Sequence, residues 1–404
     1  MDRDILIVLT RGNFTNFRKH SHMSTPLERS QQATSIGQFL EEAAIRYSGK
    51  DAFSCGPMRL GYSKFVEQGH AFAAYLQSLG VSKGDRVALM TPNLPAFPIA
   101  TLGILKTGAV QVNINPLYTA SELEHQLNDS GAETLIVFAG ACASYAAIKD
   151  KCPITRVIVA SVGDGTGMDM PSPAVDTSIT DFVHFSDALT AGADLEFRSV
   201  AISRDDLAFL QYTGGTTGPS KGAMLSHGNI LSNIAQTYEM DPAITREHDE
   251  VVVTALPMYH IFALTFNFLM YVGCGAHNVL ITNPRDMDSF VGSIKASGFT
   301  VINGVNTLFA GLMMQPDFVN VDFSNLTAAI NGGTAALEAT SDKWQSITGM
   351  PIIQAYGLSE TSPVLTFTLS SVGTFTGQVG QSLPQTHIKL LDDVGQRSAH
   401  GGTR

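Results

Sequence analysis

The run Tyr212–Gly222, YTGGTTGPSKG, holds four glycines, three threonines and one lysine. Gly214, Gly215 and Gly218 let backbone N–H groups face an anion with no Cβ in the way. Thr213, Thr216 and Thr217 add hydroxyls, and Lys221 adds a positive charge. A hydroxyl can also ligate Mg²⁺, which prefers oxygen. This is the chemistry of a loop that holds a polyphosphate. The plain alternative is a tight hairpin turn, which needs neither three threonines nor a lysine. A P-loop is excluded by spacing: counted from Gly214 or Gly215, Pro219 or Ser220 stands where its second glycine belongs, and Gly222 stands where Ser or Thr should follow the lysine. The dinucleotide pattern G-x-G-x-x-G fails as well.

Three further stretches lie downstream: LPMYHIF at Leu256–Phe262, NGGT at Asn331–Thr334 and QAYGLSET at Gln354–Thr361. With the glycine-rich run they resemble, in order, the motifs of the adenylate-forming enzymes, which comprise acyl-CoA synthetases, luciferases and peptide-synthetase adenylation domains. INPLYTASELEHQLNDSGAETLIV and NVLITNPRD narrow the resemblance to bacterial long-chain fatty-acid–CoA ligases. The similarity runs from about Thr34 to Val394.

The resemblance implies ATP-dependent attack of a carboxylate on the α-phosphorus, release of pyrophosphate, and transfer of the acyl group from the adenylate to the thiol of CoA. It implies Thr213 and Glu360 as Mg²⁺ ligands. Gly214, Gly215, Thr216, Thr217 and Lys221 are implied on the β- and γ-phosphates, and Thr361 on the α-phosphate. Tyr356, beside Gly357, is implied to stack on adenine, with the backbone of Asn331, Gly332 and Gly333 at the edge of the base. His260 is implied to orient the acyl carboxylate; Lys221 and Thr361 complete the implied catalytic set. Read alone, a lone histidine on an apolar stretch is a core residue, and a lone glutamate is a solvated one. Phe262, Phe266, Val305, Leu308 and Phe309 are candidate walls of an acyl pocket, though any one of them alone reads as ordinary core. As a group they favour a fatty acyl chain over an amino acid, since no acidic residue is placed to bind an ammonium.

The elements that must carry these residues read as an α/β fold. Strand-like runs, among them DRVALMTPN, VQVNIN, ETLIVFA, TRVIVASV, EVVVTALP, FTVINGV and LTAAINGG, alternate with helical patterns. LPAFPIATLGILKTGA predicts a helix ending near Gly108, and SELEHQLNDSG one capped by Gly131. DDLAFLQ predicts a strand feeding the glycine-rich loop, with the helix HGNILSNIAQTY after it. The expected architecture is two stacked, mostly parallel sheets flanked by helices, an αβαβα layering. Residues 31–203 are assigned to a first subdomain, 204–380 to a second with the ATP and acyl sites, and 381–404 to the start of a small β-rich third. Residues 1–30 are expected to be a disordered arm or a start-site artefact. Gly163–Pro173 reads as a surface loop. The apolar run Ile261–Ala276 is shorter than the roughly 20 residues of a spanning helix and reads as a buried helix.

The chain has 404 residues and a formal net charge of −11, with no basic run or basic patch interleaved with aromatics, which argues against a nucleic-acid partner. Four scattered cysteines without a CxxC pair suit reduced thiols in the cytoplasm. Peripheral contact with the inner membrane face and a homodimer stay open. Full-length members of the resembled family continue past Arg404, with a ribose-binding aspartate and a mobile C-terminal domain bearing an arginine and an adenylation lysine; these are expected to be absent here. Two other readings remain: an adenylating enzyme with a different acid or thiol acceptor, and a non-catalytic nucleotide- or acyl-binding fragment.

Overall fold

The structure, a computed structural model, describes residues 24–214, 218–389 and 391. Its strands are, in chain order, β1 Asp51–Cys55, β2 Met58–Gly61, β3 Arg86–Met90, β4 Val110–Asn113, β5 Thr134–Phe138, β6 Arg156–Ala160, β7 Val183–His184, β8 Leu207–Thr213, β9 Lys221–Ser226, β10 Val251–Thr254, β11 His277–Leu280, β12 Val301–Gly304, β13 Ala328–Asn331, β14 Ile352–Gly357, β15 Val364–Phe367 and β16 Gln381–Ser382. They form a seven-stranded sheet, β7-β6-β5-β3-β4-β8-β9, and a nine-stranded sheet, β16-β15-β14-β13-β12-β10-β11-β1-β2. Both are parallel in the middle; the antiparallel pairs β8–β9, β1–β2, β14–β15 and β15–β16 lie at the edges.

The alternation of the strands explains the layering. Val87 and Leu89 of β3 face one core while Ala88 and Met90 face another. Val252 and Val301 face the shared core and Val253 and Ile302 the opposite one. The shared core between the sheets holds helices Ile36–Arg46, Tyr62–Ser78, Ala96–Lys106 and His227–Met240. The outer faces are covered by Ala120–Ser130 on one sheet and by Met287–Ser297, Asn306–Met313 and Glu338–Thr348 on the other. Five layers result, αβαβα, as expected. The helix expected to end at Gly131 does so: Thr119 and Glu122 form a capping box at its start, and Gly131 takes a left-handed φ of 62°.

Division into sheets does not follow a cut at 203, because β8 pairs with β4 and places the glycine-rich loop on the seven-stranded sheet. Conversely, β1 from the early chain pairs with β11 of the nine-stranded sheet. Order begins before residue 31: helix Pro26–Gln32 is closed by a Thr25–Glu28 capping box, and the buried Arg29 donates to the Tyr47 hydroxyl and the Gly273 carbonyl, each at 2.7 Å. The rest of the expected arm, and residues 392–404 of the expected third subdomain, lie outside the described residues. The apolar run is a buried helix, with a π-helical stretch at Ala263–Met270. Among the described residues no helix is long and apolar enough to cross a membrane.

Candidate functional site

Thr213 ends β8 and Lys221 opens β9, and the two pair across the hairpin. The hairpin alternative is therefore realised, but seven residues, 214–220, separate the paired ends, so the turn is not a tight one. Helix His227–Met240 follows β9 rather than the loop itself. Gly214 and Gly218 are exposed, with open space where a Cβ would stand. Gly215, Thr216 and Thr217 lie outside the described residues. Both arms are tied to helix Ala120–Ser130. The Tyr212 hydroxyl donates to Asp129 Oδ2 at 2.6 Å, and His125 Nε2 lies 2.9 Å from the Ser220 carbonyl. Lys221 is exposed and makes no ion pair among the described residues.

The other sheet contributes the carboxyl ends of β13 and β14, which are neighbours, and the segment that follows β10, on the far side of β12. In open α/β sheets ligands bind beyond the carboxyl ends of parallel strands; Asn331 and Tyr356 lie at the ends of β13 and β14, and His260 follows β10 after an irregular segment. His260, Ile261, Phe262, Gly332, Gly333, Ala355, Tyr356, Gly357, Leu358, Ser359, Pro363 and Val364 line one pocket of about 170 Å³. A Cβ on Gly332 would stand 2.8 Å from the Phe262 ring, and one on Gly357 would stand 1.9 Å from the Pro363 carbonyl oxygen. Neither glycine can carry a side chain without moving the pocket wall. Asn331 is buried; its Nδ2 donates to the Thr334 carbonyl at 2.6 Å, and this bond fixes the turn that presents Gly332 and Gly333.

His260 does not end a strand. β10 stops at Thr254, and His260 follows an irregular segment and precedes the helix that begins at Ile261. Its ring is open to solvent within the pocket. Nδ1 accepts the N–H of Phe262 at 3.3 Å. The neutral ring must then carry its proton on Nε2, as a donor. Packing around the ring lowers its pKa below that of an ordinary imidazole, so the neutral form prevails near pH 7.

The turn Ser359–Thr361 lies against both β8 and β9, so the strands flanking the glycine-rich run on one sheet meet the glutamate turn of the other. Glu360 is exposed on that turn and makes no ion pair among the described residues. Thr361 is buried, and its hydroxyl proton is shared between the carbonyls of Leu358, at 2.9 Å, and Pro363. Among the described residues no group of three or more His, Cys, Asp or Glu could hold a metal ion. One free carboxylate and one threonine hydroxyl suit Mg²⁺ nonetheless, since that ion keeps several waters and takes further oxygens from phosphates.

The expected acyl walls separate into two groups. Phe262 lines the pocket, and the buried Phe266 packs behind it at a centroid distance of 5.7 Å. Val305, Leu308 and Phe309 are not brought to it. Val305 precedes helix Asn306–Met313, and Phe309 packs edge-on to Trp344 at 4.9 Å in the outer core, with Leu308 against the same core. Leu308 and Phe309 pack on the outer face of the sheet, away from that pocket. Ile261, Ala355, Leu358, Ser359, Pro363 and Val364 line the pocket without having been singled out, although four of them adjoin the motif residues.

Residues 40–403 match the family described as AMP-binding enzyme. The chain belongs to this family. It is 40% identical over 379 residues to the long-chain-fatty-acid–CoA ligase of Salmonella typhimurium, covering 91% of this chain and 68% of the relative. It is 38% identical over 406 residues to the enzyme of the same name from Haemophilus influenzae, covering 96% and 71%. Two solved structures share the fold. An anthranilate CoA ligase in complex with anthranoyl-AMP superposes with a TM-score of 0.82 at 21% identity, over 93% of this chain and 70% of that one. The N-terminal domain of FACL13 from Mycobacterium tuberculosis does so with 0.75 at 24% identity, over 91% and 87%.

Proposed function

We propose that this chain activates a fatty-acid carboxylate with ATP and passes the acyl group to the thiol of CoA, the reaction of an acid–thiol ligase. The carrying observation is the convergence of His260, Gly332, Tyr356 and Gly357 on one pocket beside the Glu360 turn and the phosphate-loop strands. The identity to bacterial long-chain-fatty-acid–CoA ligases supports a fatty acid as the substrate.

In the first half-reaction a carboxylate oxygen bonds to the α-phosphorus. The bond from that phosphorus to the bridging oxygen breaks, and pyrophosphate leaves with the electron pair. Two anions must approach, so charge neutralisation and in-line placement carry the catalysis. Lys221 and the loop's N–H and hydroxyl groups, with Gly215, Thr216 and Thr217, hold the β- and γ-phosphates. The Tyr356 ring and the backbone at Gly332 and Gly333 hold the adenine. His260, neutral, donates from Nε2 to the carboxylate and turns its other oxygen toward phosphorus. Thr361 reaches the α-phosphate only by giving up a carbonyl it now serves. Thr213 and Glu360 would hold Mg²⁺, which when bound would neutralise phosphate charge. In the second half-reaction the CoA sulfur bonds to the acyl carbon, the thiol proton leaves, and AMP departs with the electrons of the acyl C–O bond. The four cysteines are free, which suits the reducing cytoplasm.

A second reading has one specific observation in its favour. The pocket of about 170 Å³ is smaller than the roughly 300–1,000 Å³ typical of ligand sites. Beside an adenine, that space has less room for a long acyl chain than for a short or compact acid. Pyrophosphate release from ATP and Mg²⁺, measured with acids from acetate to palmitate, separates the two. The fatty-acid reading predicts affinity rising with length, by at most about 0.8 kcal/mol per methylene. A preference for acetate or another compact acid would establish the second reading instead.

A further inference from the structure

We propose that Asn93 and Gln211 are positioning residues that set His260 from across the sheet boundary. The segment Ala255–Tyr259, which brings the chain from β10 to His260, belongs to no strand or helix, so its backbone needs partners from elsewhere. They come from the opposite sheet. Asn93, in the turn after β3, is 3% exposed. Its Nδ2 donates to the Thr254 and Leu256 carbonyls, both at 2.9 Å, and its Oδ1 accepts the N–H of Met258 at 2.8 Å. This one side chain grips the segment at three points.

Gln211 holds the other end. It lies on β8, two residues before Thr213, and its Nε2 donates to the Tyr259 carbonyl at 2.9 Å, next to His260. Its Oε1 accepts from Asn113 Nδ2 at 3.0 Å, and Asn113 Oδ1 accepts from Gln111 Nε2 at 2.7 Å. A carbonyl can only accept, so the Tyr259 end fixes the orientation of all three amides in turn. All three are buried, and aligned amides polarise one another. With the bond from His260 N–H to the Pro257 carbonyl at 2.9 Å, the turn is fixed on both sides of the imidazole. The strand that carries the phosphate loop thereby also locates the histidine. Nucleotide and acid are registered to each other through Gln211.

This inference rests on the role proposed for His260, and its test has an arm that does not. Asn93→Ala and the volume-matched Gln211→Met are made in the parent and in His260→Ala. Loss of position should lower fatty-acid-dependent pyrophosphate release about 10- to 100-fold. Asn93→Ala should leave ATP affinity within about twofold, because the hydrogen bonds of Asn93 go to residues 254–258 and 282 and none to β8 or β9. In the His260→Ala background the same substitutions should cause no further loss. Independently, NMR titration of the His260 ring should show its depressed pKa moving up toward the ordinary imidazole value in both variants, whether or not a fatty acid is the substrate. Equal losses in both backgrounds would overturn the proposal. So would a His260 titration unchanged by Asn93→Ala combined with Gln211→Met. If no acid is activated at all, the NMR arm decides alone.

Discussion

Lys221 and Glu360 stand on opposite sheets, and each is exposed and free of ion pairs among the described residues. A charged side chain without an internal partner beside a glycine-rich loop is free to meet a charged ligand. Lys221→Ala should weaken ATP binding by about 1.5–3 kcal/mol, the range for a hydrogen bond to a charged group; isothermal titration with and without the side chain measures this directly, and an unchanged affinity would remove Lys221 from the phosphate site. Glu360→Gln should behave differently. It keeps the shape and removes the charge, so ATP affinity should fall in the presence of Mg²⁺ and change little without it. Equal losses under the two conditions would assign Glu360 some role other than metal ligation. Both residues were legible only through their motifs, since composition cannot separate them from other surface charges. Asn93 and Gln211 left a fainter signal: a polar side chain in the turn closing a buried strand, and a glutamine inside the apolar run LAFLQYT. A buried amide needs partners, but only the folded chain shows that those partners lie on the other sheet.

The elements most readily read were those with local punctuation. The helix between Thr119 and Gly131 declares both ends by capping chemistry. The strand β9 was missed because it lies at a sheet edge and exposes Met224, so KGAMLS carries no strand periodicity strong enough to oppose the helix that follows. That helix also holds a titratable group buried in its first turn. His227 is completely buried, its Nδ1 accepts the N–H of Ile36 at 3.2 Å, and its Nε2 has no partner. The contact joins helix His227–Met240 to the start of helix Ile36–Arg46. Burial pushes its pKa down to about 4. The unfolded chain therefore binds a proton at His227 that the folded protein refuses between the ordinary value near 6.5 and about 4. Stability is full above that window and falls through it by about 3 kcal/mol at most. His227→Gln, whose amide oxygen can accept from Ile36, should show a flatter acid limb in urea unfolding measured from pH 7 to pH 4. Parallel profiles for the two proteins would contradict this origin of acid sensitivity.

At the scale of the molecule, the sequence pattern reached the layering but not the sheet membership. Alternating strands and helices dictate α/β layers, because each face of a parallel sheet must be covered. Which strand pairs with which is decided by contacts far apart in sequence, as when β1 crosses to β11, or β8 inserts beside β4. The same limit applies to Phe309. A phenylalanine near a motif looks like a pocket wall until the helix bearing it is seen on the outer face, against Trp344. What the assembled molecule does is bring the pocket lined by His260, Gly332 and Tyr356 to the carboxyl side of one sheet, and the glycine-rich loop to the edge of the other. The central claim is that these form a single site for a nucleotide joined to an acyl group. The most direct measurement is the affinity of this chain for a non-reactive acyl-adenylate mimic, an acyl-sulfamoyl adenosine with a long acyl chain, compared by calorimetry with AMP and with the free fatty acid. If both halves bind in one site, joining them makes the second contact intramolecular, and the mimic should bind at least about 100-fold more tightly than either part. Tyr356→Ala and His260→Ala should each erode that advantage. A mimic that binds no more tightly than AMP, with affinity indifferent to both substitutions, would contradict the account.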